Sequence, residues 1–579
     1  MSRRKGYTSR RRRRNSGMSF KRLLGIIIIL CGAGWLTYQL TEHAFHEEPE
    51  WRKLNKPIFV DGQVMDAEAS GSGENLKLPL RVLQEAVDPG IRYEEDKQTI
   101  IMASPDQLLK MNVDSSKSSL NNKAYALKTP PSKEGDVVYV PIQPLKEVYG
   151  ITVREDETTG AVLLLRAGEK VTYAYIAKKS DPKDTIALHK EPSSVSAIYA
   201  EAVQGERVRI WKDEGSWYEV QLDNGYTGYV KHGQLSGFKD RRVEDKVFLD
   251  TPAQQKWAQK PVNLTWEAVY DRKPDVNQIG RLPGVNVISP TWFSIVNGEG
   301  QVESKVDPAY VNWAHRQGIE IWALLSNSFE PELTSKALAS YESRMSIISQ
   351  IIAYTTRYQI DGINIDFESV KTEDGDEVTQ FVRELRPYAR QHGLILSIDV
   401  TPKSNSELWS KFLDRKTLGG LVDYMMVMAY DEHWASSPEA GSVSSLPWAE
   451  KTMRRILEED KVPASKLVLG IPLYTRVWTE AANTDGTTKV SSKAIGMESA
   501  QNILQDQKLK PQFLKDIGQN YVEYQAKEGL RRIWLEDEES LNRRVELAES
   551  LKLAGIATWT RSLASSDAWN VLKTFQKQN

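Results

Sequence analysis

From residue 262 to residue 559 the chain repeats one pattern eight times: a short apolar run followed by a stretch with apolar residues at helical spacing. The runs fall at 262–269, 285–289, 319–325, 360–367, 394–400, 424–429, 467–471 and Gly555–Trp559. Apolar runs of strand length that alternate with helices predict parallel strands covered by helices. Eight of them over roughly 320 residues predict an α/β fold, a (β/α)₈ TIM barrel spanning 259–579. Between Trp478 and Trp534 no simple barrel helix is legible, but 521–524 is strand-like and Gly529 marks a turn. A small insertion subdomain over the barrel rim is therefore expected at about 479–533.

The fourth run is the chemically informative one: Ile360-Asp361-Gly362-Ile363-Asn364-Ile365-Asp366-Phe367-Glu368. A period of two puts Ile363, Ile365 and Phe367 on one face and Asn364, Asp366 and Glu368 on the other. An inward row of carboxylates is expensive, because each loses hydration and repels its neighbour. An edge strand with a solvated acidic face would avoid that cost. The helical patterns at 341–358 and 376–392 argue instead for a covered parallel strand, with its acids at the carboxyl end where barrel active sites lie.

The spacing Asp361-x-x-Asn364-x-Asp366-x-Glu368 resembles the Asp-x-x-Asp-x-Asp-x-Glu signature of family 18 glycoside hydrolases, the chitinase-like enzymes, with Asn364 departing at the second acid. The resemblance implies substrate-assisted catalysis, in which the sugar's own acetamido group is the nucleophile. Glu368 would be the proton donor and Asp366 would orient the acetamido group. An asparagine at 364 can only hydrogen-bond the middle aspartate, where an acid can share a proton with it. A narrower pH range is the expected consequence.

A second run, Met425-Met426-Val427-Met428-Ala429-Tyr430-Asp431, resembles the Met-x-Tyr-Asp strand of the same family. Taken alone, Tyr430 reads as a core tyrosine with its hydroxyl at the surface rather than as a site residue. The resemblance implies that its hydroxyl bonds the acetamido oxygen and that Asp431 helps place the sugar. Residues 470–478 resemble the family's seventh strand and loop, and Gly555–Trp559 its eighth. Expected catalytic residues are thus Glu368, Asp366 and Tyr430. Expected substrate-binding residues are Asp361, Asn364, Met428, Asp431, Tyr474, Arg476 and Trp559, the last as an apolar platform for a sugar ring. Trp292, Trp434 and Trp478 are candidates for the groove wall or, equally, for structural positions. No cofactor or metal is expected.

The 579 residues exceed what a single core accommodates. Residues 1–22 carry ten Lys or Arg and no acid, and 23–40 is an uncharged run of eighteen residues rich in Leu and Ile. A basic flank before an apolar span predicts a single-pass signal anchor at 23–40 with a cytoplasmic tail, which places the catalytic domain outside the cytoplasmic membrane. A cleaved signal peptide is the rival reading. A nucleic-acid partner is not expected. The lone cysteine, Cys31, lies in that span, so the exported part forms no disulfides.

Two similar stretches follow, 78–102 and 140–165, each reading as a short helix, a charged turn and a strand. The duplication, spanning 56–168, resembles the small amino-terminal α+β module of copper amine oxidases and lacks any His or Cys cluster. At 187–237 short strands with an Asn224-Gly225 hairpin signal resemble an all-β bacterial SH3-like domain, which implies contact with the cell wall. There Trp217 is expected in the core, while Tyr226 and Tyr229 are open between core and recognition. A charged linker is expected at 238–258. The combined reading is a membrane-anchored hydrolase of an N-acetylglucosamine-containing polysaccharide; the alternative is a non-catalytic wall binder or scaffold on the same barrel.

Overall fold

The computed structural model describes residues 45–178, 181, 184–244, 246, 248–270, 272–483 and 487–576. The basic stretch 1–22 and the apolar segment 23–40 lie outside the described residues. Among the described residues no helix is long and apolar enough to cross a membrane. The chain forms two compact units: one comprises Met1–Pro89 with Lys128–Lys246, the other Gly90–Leu127 with Val247–Asn579.

The second unit contains eight parallel strands: β1 (Val262–Glu267), β2 (Val287–Pro290), β3 (Glu320–Ser326), β4 (Gly362–Asp366), β5 (Ile395–Val400), β6 (Tyr424–Val427), β7 (Leu467–Pro472) and β8 (Gly555–Trp559). Each pairs with the next, and β8 pairs back onto β1, so the sheet closes into a barrel. Closure leaves no sheet edge and gives every side chain one of two environments, interior or helix-facing. Ile363, Ile365 and Phe367 face the helix layer, where Phe367 meets Phe381 at 5.4 Å between ring centroids.

The interior is filled from below by large side chains, Trp322, Leu324, Tyr424 and Met426 among them. Pro252–Ala258, within the stretch expected as linker, is a helix whose first turn is capped by Thr251 and Gln254. Its Trp257 plugs the amino end of the barrel, donating to Glu320 at 2.8 Å and lying edge-on to Trp322. Gly362 is the residue that lets this plug fit: a Cβ there would approach Trp322 Cδ1 to 2.7 Å and the Ile395 carbonyl to 2.8 Å. With the lower interior filled, the open end is the carboxyl end of the strands.

Gly90–Leu127 is an antiparallel five-strand meander in the same unit as the barrel. Its Ile101, Ala103 and Leu108 join the helix-facing core. Glu94 reaches the fully buried Arg344, which also binds Glu384 through two hydrogen bonds of 2.9 and 2.8 Å. The insertion after β7 is a five-strand antiparallel sheet built from Tyr474–Ala482, Thr488–Gly496, Gln512–Leu514, Gln519–Ala526 and Gly529–Trp534, with the helix Met497–Asp506.

In the first unit Leu80–Ala86 and Ile142–Tyr149 are the two repeat helices. The charged segments expected as turns are partly strands, Arg92–Glu94, which belongs to the second unit, and Thr152–Glu155 in the first. Both are edge strands, and their acids Glu94 and Glu155 are largely enclosed by ion pairs with Arg344 and Lys56, partners that lie far away in sequence. The SH3-like segment lies in a seven-strand sheet, with Trp217 buried and Gly225 at φ +94° in the turn after Leu222.

Candidate active site

Four carboxyl-bearing side chains and two tyrosines gather at the carboxyl end of β4 to β7. On β4 the inward positions are Asn364, Asp366 and, just past the strand, Glu368. Same-face neighbours on a strand stand roughly 7 Å apart, so the three form a ladder rising toward the opening. Asn364 and Asp366 are buried, whereas Glu368 is half-buried at the mouth.

Burial pushes the Asp366 carboxyl up to about 7. Burial, followed by the charges of Asp366 and Asp431, holds Glu368 well above the usual carboxylate range. A carboxyl kept neutral at neutral pH is what a general acid requires. Neither Asp366 nor Glu368 forms an ion pair with Lys or Arg among the described residues, so nothing in the site counters the effect.

Glu368 is held through its backbone by a residue that sequence reasoning did not single out. Asn327, fully buried just after β3, accepts from the Glu368 N–H at 3.0 Å and donates to the Glu368 carbonyl at 2.8 Å. Its amide also donates to Thr334 Oγ1 at 2.8 Å. The next two residues, Ser328 and Phe329, both have positive φ, as does Ser369 after Glu368. Strained backbone of this kind clusters where a site demands it.

A second residue missed in the sequence is Asp399 on β5. It is 2 % exposed and faces inward beside Asp366, because Ile365 pairs with Ile398 in the β4–β5 register. Asn364 Nδ2 donates to Asp399 Oδ2 at 2.7 Å, and Ser397 Oγ donates to Asn364 Oδ1 at 2.7 Å. The expected bond from Asn364 to the middle aspartate is thus replaced by one across to the neighbouring strand: an asparagine side chain lies level with β5, two residues below Asp366. Burial first, then the Asp366 charge, raises Asp399 well above the carboxylate range, while the Asn364 bond and the facing Trp266 indole N–H moderate the rise. The signal was present as Ser397 and Asp399 at alternate positions of an otherwise apolar run.

Met428 and Tyr430 continue the inward face of β6 beyond its last residue. Burial and then the Asp399, Tyr474, Glu368 and Asp366 groups raise the Tyr430 hydroxyl, so it stays protonated as a donor facing the carboxyl cluster. Asp431, at φ +61°, accepts from the Tyr474 hydroxyl at 2.6 Å and lies 3.7 Å from Arg476. Trp559 ends β8 half-buried on top of the interior, 5.9 Å from the Trp266 ring.

Asp361 is not brought to this end. It precedes β4 at the amino end, where its Oδ2 accepts from the Ile321 N–H at 2.9 Å and lies 2.9 Å from His315 Nε2. Asp423 before β6 repeats the device, accepting from Leu396 N–H at 2.9 Å, which identifies it as a strand-tethering arrangement. Of the three candidate groove tryptophans, Trp292 and Trp478 are buried; Trp478 donates to the Gly441 carbonyl at 2.8 Å. Trp434 is exposed, as are Phe329 and Trp409 on the loops after β3 and β5. Among the described residues no group of His, Cys, Asp or Glu is arranged to hold a metal ion.

Comparison with known proteins gives three matches along the chain. Residues 320–564 match glycosyl hydrolases family 18, residues 59–164 the copper amine oxidase N-terminal domain and residues 184–236 the bacterial SH3 domain. The uncharacterized glycosylase YvbX of Bacillus subtilis (strain 168) is 26% identical over 301 residues, 50% of this chain and 84% of that protein. The cortical fragment-lytic enzyme of the same organism is 26% identical over 253 residues, 43% of this chain and 57% of its length. In fold the chain is similar to the spore cortex-lytic enzyme SleL of Bacillus cereus, with a TM-score of 0.50 at 19% identity, covering 58% of this chain and 77% of that one. Residues 320–564, which carry Asp366 and Glu368 at the open end of a closed barrel, thus match the family 18 glycosyl hydrolases and are the glycosidase part of this chain.

Proposed function

We propose that the chain hydrolyses β-1,4 linkages of an N-acetylglucosamine-containing envelope polysaccharide, with the substrate's acetamido group as nucleophile and with retention of configuration. The observation that carries the reading is the placement of Glu368 at the mouth, two residues above a buried Asp366 on the same inward face of β4, where burial raises both carboxyls. Glu368 donates its proton to the leaving oxygen and returns as base for water. Asp366 orients the acetamido N–H and offsets positive charge on the cyclising ring, and the Tyr430 hydroxyl donates to the acetamido oxygen.

The substrate class follows from the company the barrel keeps. A bacterial SH3 domain on the same chain and a cortical fragment-lytic relative favour a peptidoglycan-type polymer over chitin. The basic stretch 1–22 followed by the apolar 23–40 supports an anchor in the cytoplasmic membrane with the barrel outside it.

The test is turnover of a fluorogenic N-acetylglucosamine oligomer and of purified wall by the wild-type chain and by Glu368→Gln. General acid catalysis is worth about 10²- to 10⁴-fold, and a loss in that range with binding retained is expected. Wild-type protein that binds these polymers without cleaving any would instead mark a wall binder on the same barrel.

A further inference from the structure

Asp366 and Asp399 occupy one rung of the barrel. The β4–β5 ladder pairs Gly362 with Ile395, Ile363 with Leu396, Asn364 with Ser397 and Ile365 with Ile398, which makes Asp366 and Asp399 the next pair. Paired residues of adjacent strands stand about 4.8 Å apart, and both side chains point into the barrel. Each carboxyl has one buried oxygen, Asp366 Oδ1 and Asp399 Oδ1, with no hydrogen-bond partner. The other oxygen of Asp399 is occupied by Asn364 Nδ2 at 2.7 Å.

Two ionised carboxylates cannot satisfy one another, since each is acceptor only, and side by side in a dry site they repel. One proton placed between them removes both difficulties at once, supplying a donor for two orphaned acceptors and halving the charge. The groups that face Asp399 moderate its charge with the neutral Asn364 amide and Trp266 indole donors but bring no positive charge: Asn364, Asp366 and Glu368 from β4, Ser397 on its own strand, the Trp266 indole from β1 and the Tyr430 hydroxyl after β6. None of these is a cation.

We propose that Asp366 and Asp399 share one proton across the β4–β5 rung, so that the pair carries a single negative charge and Asp399 is a positioning residue that presents a hydrogen-bond donor to Asp366. The proton resides on Asp399 Oδ1 and is donated to Asp366 Oδ1, while Asn364 fixes which Asp399 oxygen remains free to carry it. The asparagine that departs from the family signature thereby gains a role of its own. The pairing stands on the geometry alone; its consequence for catalysis rests on the function proposed above.

Asp399→Asn imitates the protonated form, because its carbonyl oxygen can accept from Asn364 while its N–H₂ donates to Asp366. Infrared difference spectra of the full chain at neutral pH, wild type minus Asp399→Asn, should show loss of a protonated-carboxyl C=O stretch. Loss of an ionised-carboxylate band would overturn the proposal. In turnover, Asp399→Asn should stay within about tenfold of wild type and Asp399→Ala should fall by about a hundredfold or more, with circular dichroism confirming that each is folded. Asparagine as damaging as alanine, or both harmless, would overturn the positioning role. If Asp399→Ala does not fold, the infrared difference and the Asp399→Asn rate still decide. A wild type inert on every polymer would refute the proposed reaction while leaving the infrared result to judge the pair.

Discussion

Replacing Asn327 by leucine is the most demanding test of how the proton donor is held. Leucine keeps the volume of a side chain that is fully buried but removes both hydrogen bonds to the Glu368 backbone, at 3.0 and 2.8 Å, and the one to Thr334. A buried polar group left without a partner costs about 1–3 kcal/mol, so losing the clamp on one N–H and one C=O should destabilise the barrel by about 2–6 kcal/mol. The kinetic effect is separate. Misplacing a catalytic group by about 1 Å costs on the order of 10²-fold, so kcat should fall by roughly 10- to 100-fold while KM changes little. Asn327→Asp retains the acceptor for the Glu368 N–H but sets a carboxylate against the Glu368 carbonyl, and should be at least as harmful. Denaturant unfolding gives the stability and initial rates on a fluorogenic oligomer give kcat and KM. An Asn327→Leu protein with wild-type stability and kcat would show that the clamp does not position Glu368.

Two further outcomes are expected. The Asp366 proton is held up to about 7, against an ordinary aspartate value near 3.9, so the folded state binds it more tightly between those values. Its stabilisation is fully present below about pH 4 and is lost as pH rises through about 7; unfolding midpoints should fall across that window, and Asp366→Asn should flatten the slope. Arg344→Ala strands the buried Glu384 and should cost about 3–5 kcal/mol, whereas replacing both by apolar residues of similar volume should recover most of it, as unfolding of the single and double variants will show.

The barrel was legible because a closed parallel sheet asks the same thing of every strand. All eight apolar runs became strands, shifted by a few residues at their ends, where Val285 and Ile319 lie just outside the ladders. The insertion was visible as a failure of that rhythm after Trp478. What the sequence hid was depth and direction. Trp292 and Trp478 carry the same chemistry as Trp434, and only packing decides that two are enclosed and one is exposed. Asp361 belongs to the signature spacing but lies a full strand length below Glu368, at the end that tethers rather than reacts. Asp399 was overlooked because one aspartate in an apolar run carries no meaning until the register places it beside Asp366. The docking of Gly90–Leu127 on the barrel helices was equally hidden, since Glu94 and Arg344 meet across 250 residues of chain.

If the substrate supplies the nucleophile and Glu368 the proton, the first-formed product keeps the configuration of the cleaved bond. Proton NMR of the first-formed product from an N-acetylglucosamine oligomer reads this directly, before mutarotation mixes the anomers. The β-anomer is expected as the initial product, with no turnover of the fully deacetylated polymer. An α-anomer, or ready cleavage of the deacetylated chain, would contradict it and require a carboxylate of the enzyme to act on the sugar or on water instead.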